Sequence, residues 1–434
     1  MIRKEHNEFT RVQLPAALHL TRLGYDYLSA TSEEIKNRDY STNILLSIFK
    51  RQFLTFNNYA SEADFEREFE NIRLELEQDD IGCSFFNRIH ANSGCTYINW
   101  DNIEENTFHI ALEVTCQNGE EEFRPDITVF INCLPLSYIE VKQPDAIRDG
   151  KTGINSEKER TKLRFENKKF RRCNNITQLI AISDNLPDDD SQGQQCQGSF
   201  YCTNAYSGTK FNSFKEEQER QVQSSLSSLT EEMIDLVLKD VNRFALKSQA
   251  EFRTNLESAS PCNSFLTSLY QKERLFFMLR YGLVYVEERD KKGQIQLQKH
   301  AMRYPQYFAT KAIERRLEDG IKKGVIWHTQ GSGKTALAFF NIRYLRDFYA
   351  KRGVVPQFYF VVDRLDLADQ AYKEFTKRGL KVKRINKPSE LNQIQDQFDI
   401  SVVNIQKFKE SSDLTDHSGY DLNRQNIYFI DEAH

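Results

Sequence analysis

Two groups of residues in this 434-residue sequence have the types and spacing for phosphate chemistry. The first is Pro125-Asp126 followed by Glu140-Val141-Lys142. Two carboxylates and a backbone carbonyl such as that of Val141 can hold one or two Mg²⁺ ions. The metal acidifies a bound water and stabilises the charge that builds on an in-line phosphoryl transition state. Lys142 is suited to position or activate that water. This is the D…E-x-K pattern of a metal-dependent nuclease; E-x-K on a strand also describes a plain salt-bridged surface. The second group is Gly331-Ser332-Gly333-Lys334-Thr335, preceded by an apolar run over 324–327 and followed by a helical pattern over 336–340. Glycines let backbone N–H groups face phosphates, Lys334 reaches the β- and γ-phosphates, and the Thr335 hydroxyl holds Mg²⁺ at a helix N-terminus whose dipole favours anions. The G-x-x-x-x-G-K spacing puts its first glycine where His328 stands, so the loop departs from the full pattern there.

Two further stretches belong with that loop. Ile427-Tyr428-Phe429-Ile430 runs into Asp431-Glu432-Ala433-His434, which sets Asp431 to hold Mg²⁺ and Glu432 to orient an attacking water. Arg303-Tyr304-Pro305-Gln306 lies about one helix before the loop, where the Gln306 amide can read adenine while an aromatic ring stacks on it.

The elements that must position these groups are legible in outline. Segments 126–132 and 136–142 flank the break Cys133-Leu134-Pro135 and read as a β-hairpin. Folding it about residue 133 sets Asp126 opposite Glu140, and the period of two puts Glu140 and Lys142 on one face. Next comes 156–172, with eight Lys/Arg against three Glu and with Phe165 and Phe170 interleaved, a basic helix suited to a DNA backbone. A solvated charged face is its plainer reading. Segments 178–183 and 356–364 have the character of buried strands, and 400–408 and 427–430 are strand-like. The last three alternate with helical patterns, as in a parallel sheet covered by helices on both faces.

Amphipathic helices are expected over 5–23, 43–56 and 61–80, the last carrying nine Asp/Glu against Arg67 and Arg73. The polar 187–213 reads as loop, 216–246 as a helical connector, and 275–286 as a helix and strand beneath the second domain. Eight scattered cysteines without a C-x-x-C pair argue against a zinc site or a disulfide framework. Neither a membrane-length apolar run nor a signal-peptide pattern is present, so the chain reads as cytoplasmic with no membrane partner.

Taken together, Arg303-Tyr304-x-Gln306, His328-Thr329-Gln330-Gly331-Ser332-Gly333-Lys334-Thr335, Val362-Asp363-Arg364-x-Asp366-Leu367-x-x-Gln370, Ile405-Gln406-Lys407-Phe408 and Asp431-Glu432-Ala433-His434 resemble the restriction (R) subunit of type I restriction–modification enzymes. The likeness covers nearly the whole chain and extends to domain order. It implies a PD-(D/E)xK restriction-endonuclease-like α/β domain (1–215), a helical connector (216–300) and the first RecA-like lobe of a superfamily 2 helicase-like motor (301–434). The His-Thr-x-Gly-Ser-Gly-Lys-Thr form of the loop accounts for the missing first glycine. The resemblance also implies a type I site-specific deoxyribonuclease that couples ATP-driven translocation of double-stranded DNA to Mg²⁺-dependent cleavage. Its partners would be specificity and methyltransferase subunits. Asp126, Glu140 and Lys142 would form the nuclease centre. Lys334, Thr335, Asp431 and Glu432 would form the ATPase centre, with Gly331, Ser332 and Gly333 at the phosphates and Gln306 at the adenine. Family members often carry Q-x-x-x-Y after the nuclease strand, whereas here Gln178 is followed four residues on by Ile182.

Two other readings fit the same residues: a truncated, non-catalytic remnant that binds DNA or the methyltransferase complex, and a DNA-repair helicase–nuclease. The sequence given stops at His434, inside the Asp-Glu-Ala-His motif. A motor of this type completes its ATP site with arginine fingers from a second lobe. The expectation for the 434-residue chain is therefore weak ATP binding without hydrolysis or translocation at a useful rate. Robust DNA-stimulated ATPase activity of the isolated chain would refute it.

Overall fold

The computed structural model describes residues 7–144, 147–148, 151–189, 196–206, 208–216, 226–289, 293–327, 333–385, 390, 397–405 and 423–431. The chain divides into two units, 1–280 and 281–434. The segment 216–300 is thus shared between them, its helices in the first and its hairpin in the second.

The first unit is built on a six-stranded mixed sheet whose strands lie side by side in chain order. They are β1 (Asp26–Leu28), β2 (Phe108–Leu112), β3 (Ile127–Ile131), β4 (Leu134–Val141), β5 (Leu179–Ser183) and β6 (Ser199–Cys202). Every residue of β3, β4 and β5 is buried, as continuous apolar runs covered on both faces require. The expected N-terminal helix occupies 9–22, with a π turn over Phe9–Gln13 leading into α1 (Leu14–Arg22). The other two predicted helices form as α2 (Leu46–Phe56) and the acidic α3 (Glu62–Leu76), which starts on a Ser61–Asp64 capping box. After β4 come α4 (Gly153–Glu166) and α5 (Arg171–Ile176), and late in the unit α6 (Pro261–Tyr270). Ser137 on β4 meets the Tyr270 hydroxyl at 2.8 Å, so α6 covers one face. Tyr138 and Ile180 pack with Phe170 and Cys173 on the other, beneath α4 and α5.

The β3–β4 hairpin sets the register of the site. Its turn is Asn132–Cys133, both with positive φ, as in the tight turns that match strand twist. The Asn132 side chain is fully buried and locks this turn: its Oδ1 accepts from Thr107 N at 2.8 Å, and its Nδ2 donates to Tyr97 O and Asn106 Oδ1. Next to the turn Ile131 pairs with Leu134, but beyond it Val129 pairs with Ser137 and Ile127 with Ile139. One extra residue on β4 is absorbed at Pro135–Leu136, where proline has no N–H to give the ladder. Continuing the shifted register places Asp126 opposite Glu140, as the sequence predicts.

The second unit holds the β7–β8 hairpin (Leu283–Arg289 with Ile295–Ala301) and a four-stranded parallel sheet. The sheet runs β10 (Val382–Ile385), β11 (Ile400–Asn404), β9 (Val355–Val362), β12 (Arg424–Ile430). Its helices are α7 (Tyr304–Glu318), α8 (Lys334–Ala350) and α9 (Leu365–Lys377), with Phe375 of α9 edge-on to Phe360 of β9 at 5.2 Å. The apolar run at 324–327 departs from expectation. It forms no strand, and Val325 and Trp327 are 90% and 92% exposed. Among the described residues β12 is an edge strand, and Tyr428 and Ile430 on it are half exposed. The described architecture is α/β in both units, as expected.

Buried His19 makes the first unit acid-sensitive. Its Nε2 meets Thr267 Oγ1 at 2.7 Å, and Thr267 spends its own proton on Asn263 O, so Nε2 carries the imidazole proton. Nδ1 is buried without a hydrogen-bond partner among the described residues. Burial, helped by Arg22, lowers the His19 pKa to about 3. A histidine with a depressed folded pKa contributes stability above its unfolded value that is lost as pH falls. Between pH 7.5 and 5.5 this group should cost the fold about 1.4 kcal/mol. Urea unfolding of the wild type and H19Q at the two pH values checks this, because the difference should shrink in H19Q.

Candidate functional site

At the C-terminal end of β4 the sheet delivers all three predicted nuclease residues to one place. Lys142 Nζ lies 3.8 Å from Asp126 Oδ2 and 3.7 Å from Glu140 Oε2, and it donates to the Val141 carbonyl at 2.6 Å. Asp126 is fixed from two directions: its Oδ2 accepts from Val141 N at 2.7 Å, and its carbonyl accepts from Gln13 Nε2 at 2.7 Å. Glu140 is almost fully buried, and the Lys142 side chain is 12% exposed.

Three more groups complete the cluster. Glu8, just before the π turn, lies 3.8 Å from Lys142 Nζ through Oε1 and accepts from Gln143 N through Oε2. Glu157 on α4 has no exposed side-chain surface, and at 3.3 Å it is nearer the ammonium than the other three carboxylates. Arg164, two turns further on, reaches Glu140 at 3.2 Å and Glu157 at 2.8 Å. Sequence reasoning missed all three residues. For Glu157 and Arg164 the signal is the spacing Ile154, Glu157, Thr161, Arg164, a helical stripe in which only Ile154 is apolar. It was read as part of a basic outer face, yet Ile154, Glu157 and Thr161 are the buried residues of α4.

Electrostatics follow from the crowding. Burial pushes the Glu140 carboxyl well above the usual carboxylate range; Glu157 and Asp126 add to this, while Arg164 and Lys142 pull it back. Burial also raises Glu8, against the pull of Lys142. For Lys142, burial opposes the charged form, but Glu157, Glu140, Asp126 and Glu8 outweigh it and raise the pKa. The surrounding carboxylates therefore favour the charged form of Lys142.

Among the described residues no three His, Cys, Asp or Glu side chains converge as a ready metal cage. Here the point that the carboxylates share is filled by the Lys142 ammonium. The donor set still fits a hard divalent cation: two carboxylates and a carbonyl oxygen of this sheet end, with surplus negative charge beside them. Arg160, Arg164, Lys169, Arg171 and Arg172 each pair with a carboxylate of the chain itself. Sequence composition cannot reveal such pairing, because Glu121, Glu77 and Asp79 are distant in the chain.

Of the predicted nucleotide residues, Gln306, Gly333, Lys334, Thr335 and Asp431 are described; Gly331, Ser332 and Glu432 lie outside the described residues. Lys334 opens α8 and its Nζ lies 3.9 Å from Asp431 Oδ1. The Asp431 carboxylate thus lies beside the lysine expected at the phosphates, and Thr335 follows on the same first turn. Gln306 is buried, and both ends of its amide are used within the chain. Its Oε1 accepts from Arg303 N at 2.9 Å, and its Nε2 donates to Gly333 O at 3.1 Å. It ties the start of α7 to the phosphate-loop glycine, so an adenine contact would have to share or exchange these bonds.

Comparisons with known proteins match two separate stretches of the chain. Residues 5–187 match the family described as type I restriction enzyme R protein N terminus, and residues 305–434 match the SWI2/SNF2 ATPase family. A Methanocaldococcus jannaschii protein named as a candidate type I restriction enzyme MjaIXP endonuclease subunit is 24% identical over 99% of this chain and 40% of its own length. A second from that organism, MjaVIIP, is 27% identical over 64% of the chain and 22% of its own length. The type I restriction enzyme HindI endonuclease subunit of Haemophilus influenzae is 29% identical over 39% of the chain and 17% of its own. The chain spans less than half the length of each of these relatives.

Gly333 offers a direct check on the loop. Its φ of +87° is left-handed, and a Cβ there would lie 2.8 Å from Gln306 Nε2 and 3.1 Å from Arg303 Nη2. G333A should destabilise the second unit by about 1–2 kcal/mol from the backbone alone and break the Gln306 tie. Thermal melts and binding of a fluorescent ATP analogue should both weaken; superimposable curves would contradict this.

Proposed function

We propose that this chain, which joins a type I restriction R-protein N terminus to a SWI2/SNF2-type ATPase region, supplies the DNA-cutting centre and first motor lobe of a type I restriction endonuclease. The observation that carries the reading is the gathering of Asp126, Glu140 and Lys142 within 3.8 Å at the end of two buried strands, inside the region that matches the R-protein family. A helicase-type phosphate loop follows in the chain, with Lys334 beside Asp431 in the second unit.

In this reading Asp126, Glu140 and the Val141 carbonyl hold Mg²⁺. Once bound, the ion supplies an acidified water and charge stabilisation at the scissile phosphate. The chain's own residues do the rest. The hairpin register sets Asp126 against Glu140, and Lys142 keeps its proton and stabilises the charge developing on the phosphate oxygens. Lys334, Thr335 and Asp431, with Gly331, Ser332, Gly333, Gln306 and Glu432, serve ATP and its Mg²⁺. The substrate is double-stranded DNA, and specificity and methyltransferase subunits choose the site. No helix among the described residues is long and apolar enough to cross a membrane, which accords with a cytoplasmic enzyme.

The reading in which the chain binds without cutting draws on the Lys142 ammonium sitting where the carboxylates converge. One assay separates the two. With Mg²⁺ the wild type should nick supercoiled plasmid, and D126A and K142A should each lose at least about 100-fold in rate, the scale of a positioned proton-transfer or charge-stabilising group. Equal nicking by wild type and both variants would remove the nuclease assignment.

A further inference from the structure

Glu157 and Arg164 sit where neither the D…E-x-K pattern nor the family description assigns anything. Glu157 has no exposed side-chain surface, yet three cations surround it: Arg164 at 2.8 Å, Arg160 at 3.1 Å and Lys142 at 3.3 Å. The Arg164 contact to Oε1 is close but off the line of its N–H bonds, so charge rather than an aligned hydrogen bond holds the pair. Arg164 also donates to Glu140 Oε1 at 3.2 Å, and its guanidinium lies 4.3 Å from the Phe123 ring centroid. That cation–π contact adds a further hold on the guanidinium.

A buried ionic group of this kind is weak evidence for stability alone, because apolar residues of similar volume serve a core as well or better. Its place suggests another use. Each member touches a residue of the D…E-x-K set: Glu157 touches Lys142, and Arg164 touches Glu140. Four carboxylates compete for the Lys142 ammonium, and Glu157 holds it most closely, on the helix side. When a divalent cation takes the point shared by Asp126 and Glu140, the ammonium must give way. Glu157 is the carboxylate placed to keep it beside the site.

We propose that Glu157 and Arg164 are positioning residues of the nuclease centre: Glu157 anchors the Lys142 ammonium next to the cation position, and Arg164 holds the Glu140 carboxylate toward it. The inference rests on the nuclease reading above. Helix α4 thereby does for the lysine what the hairpin does for the two acids.

The test uses the full 434-residue chain as wild type, E157Q, R164M and R164K. Mn²⁺ affinity is measured by calorimetry, and metal-dependent plasmid nicking is measured against metal concentration. Mn²⁺ binding should weaken in both, in E157Q because a carboxylate is lost and in R164M because Glu140 is no longer held toward the ion, each by about threefold or more. Nicking at saturating metal should fall at least about tenfold in both, because the acid or the lysine is no longer held. R164K restores the charge but not the two-carboxylate geometry of a planar guanidinium. Both Mn²⁺ affinity and nicking should therefore stay low. Wild-type affinity and nicking in E157Q and R164M would overturn the proposal, and so would full rescue of nicking by R164K, which would leave only a charge effect. If E157Q misfolds by circular dichroism, E157D, which shortens the reach to Lys142, takes its place with the same expected losses; if R164M misfolds, R164K carries the Arg164 arm. If K142A loses nicking while E157Q and R164M do not, this proposal fails and the nuclease reading stands. A wild-type chain that neither nicks nor binds Mn²⁺ contradicts both.

Discussion

A one-residue offset in a buried hairpin decides whether this protein has a site at all. The Asn132–Cys133 turn alone pairs Ile131 with Leu134, and continued unchanged it would oppose Asp126 with Ile139 and send Glu140 to the opposite face. The extra residue taken up at Pro135–Leu136 corrects this and brings both carboxylates to one side. Pro135, which cannot donate to the ladder, makes the irregularity cheap there, and the buried Asn132 network keeps the turn from slipping. Everything chemical at the sheet end follows from that register.

Its consequence is a concentration of like charge that the fold must offset. Glu140 and Glu157 are buried, and Asp126 and Glu8 lie within 3.8 Å of the same ammonium. Such a group persists only with cations inside it, and Lys142 and Arg164 supply them from two directions. The ammonium holds the place that an ion of higher charge would contest. Stability and function pull apart here, as in other sites where charges are kept buried for use.

Much of this could be read from the sequence. The hairpin, its register, the all-buried strands 127–131, 134–141 and 179–183 and the parallel sheet of the second unit follow from apolar runs and turn residues, which are local signals. The helix-face roles of Glu157 and Arg164 did not, because the polar stripe of α4 is buried only through its tertiary neighbours. For the same reason the carboxylates that meet Lys169, Arg171 and Arg172 of the basic stretch are not legible in its composition. At Gln306 the residue type pointed to adenine, but its amide is spent on Arg303 and Gly333, contacts that no spacing rule anticipates. Over 324–327 apolar composition predicted a buried strand, but burial needs a paired neighbour, and among the described residues none adjoins it.

The central claim is that the sheet end at Asp126, Glu140 and Lys142 is where DNA is cut. Diffraction at the manganese edge from crystals of the chain with Mn²⁺ and a short duplex tests it most directly. The account predicts an anomalous peak bonded to Asp126, Glu140 and the Val141 carbonyl, with Lys142 drawn toward Glu157 and a backbone phosphate against the ion. A fully occupied Mn²⁺ elsewhere, with Lys142 still seated among its carboxylates and the duplex remote from them, would contradict it.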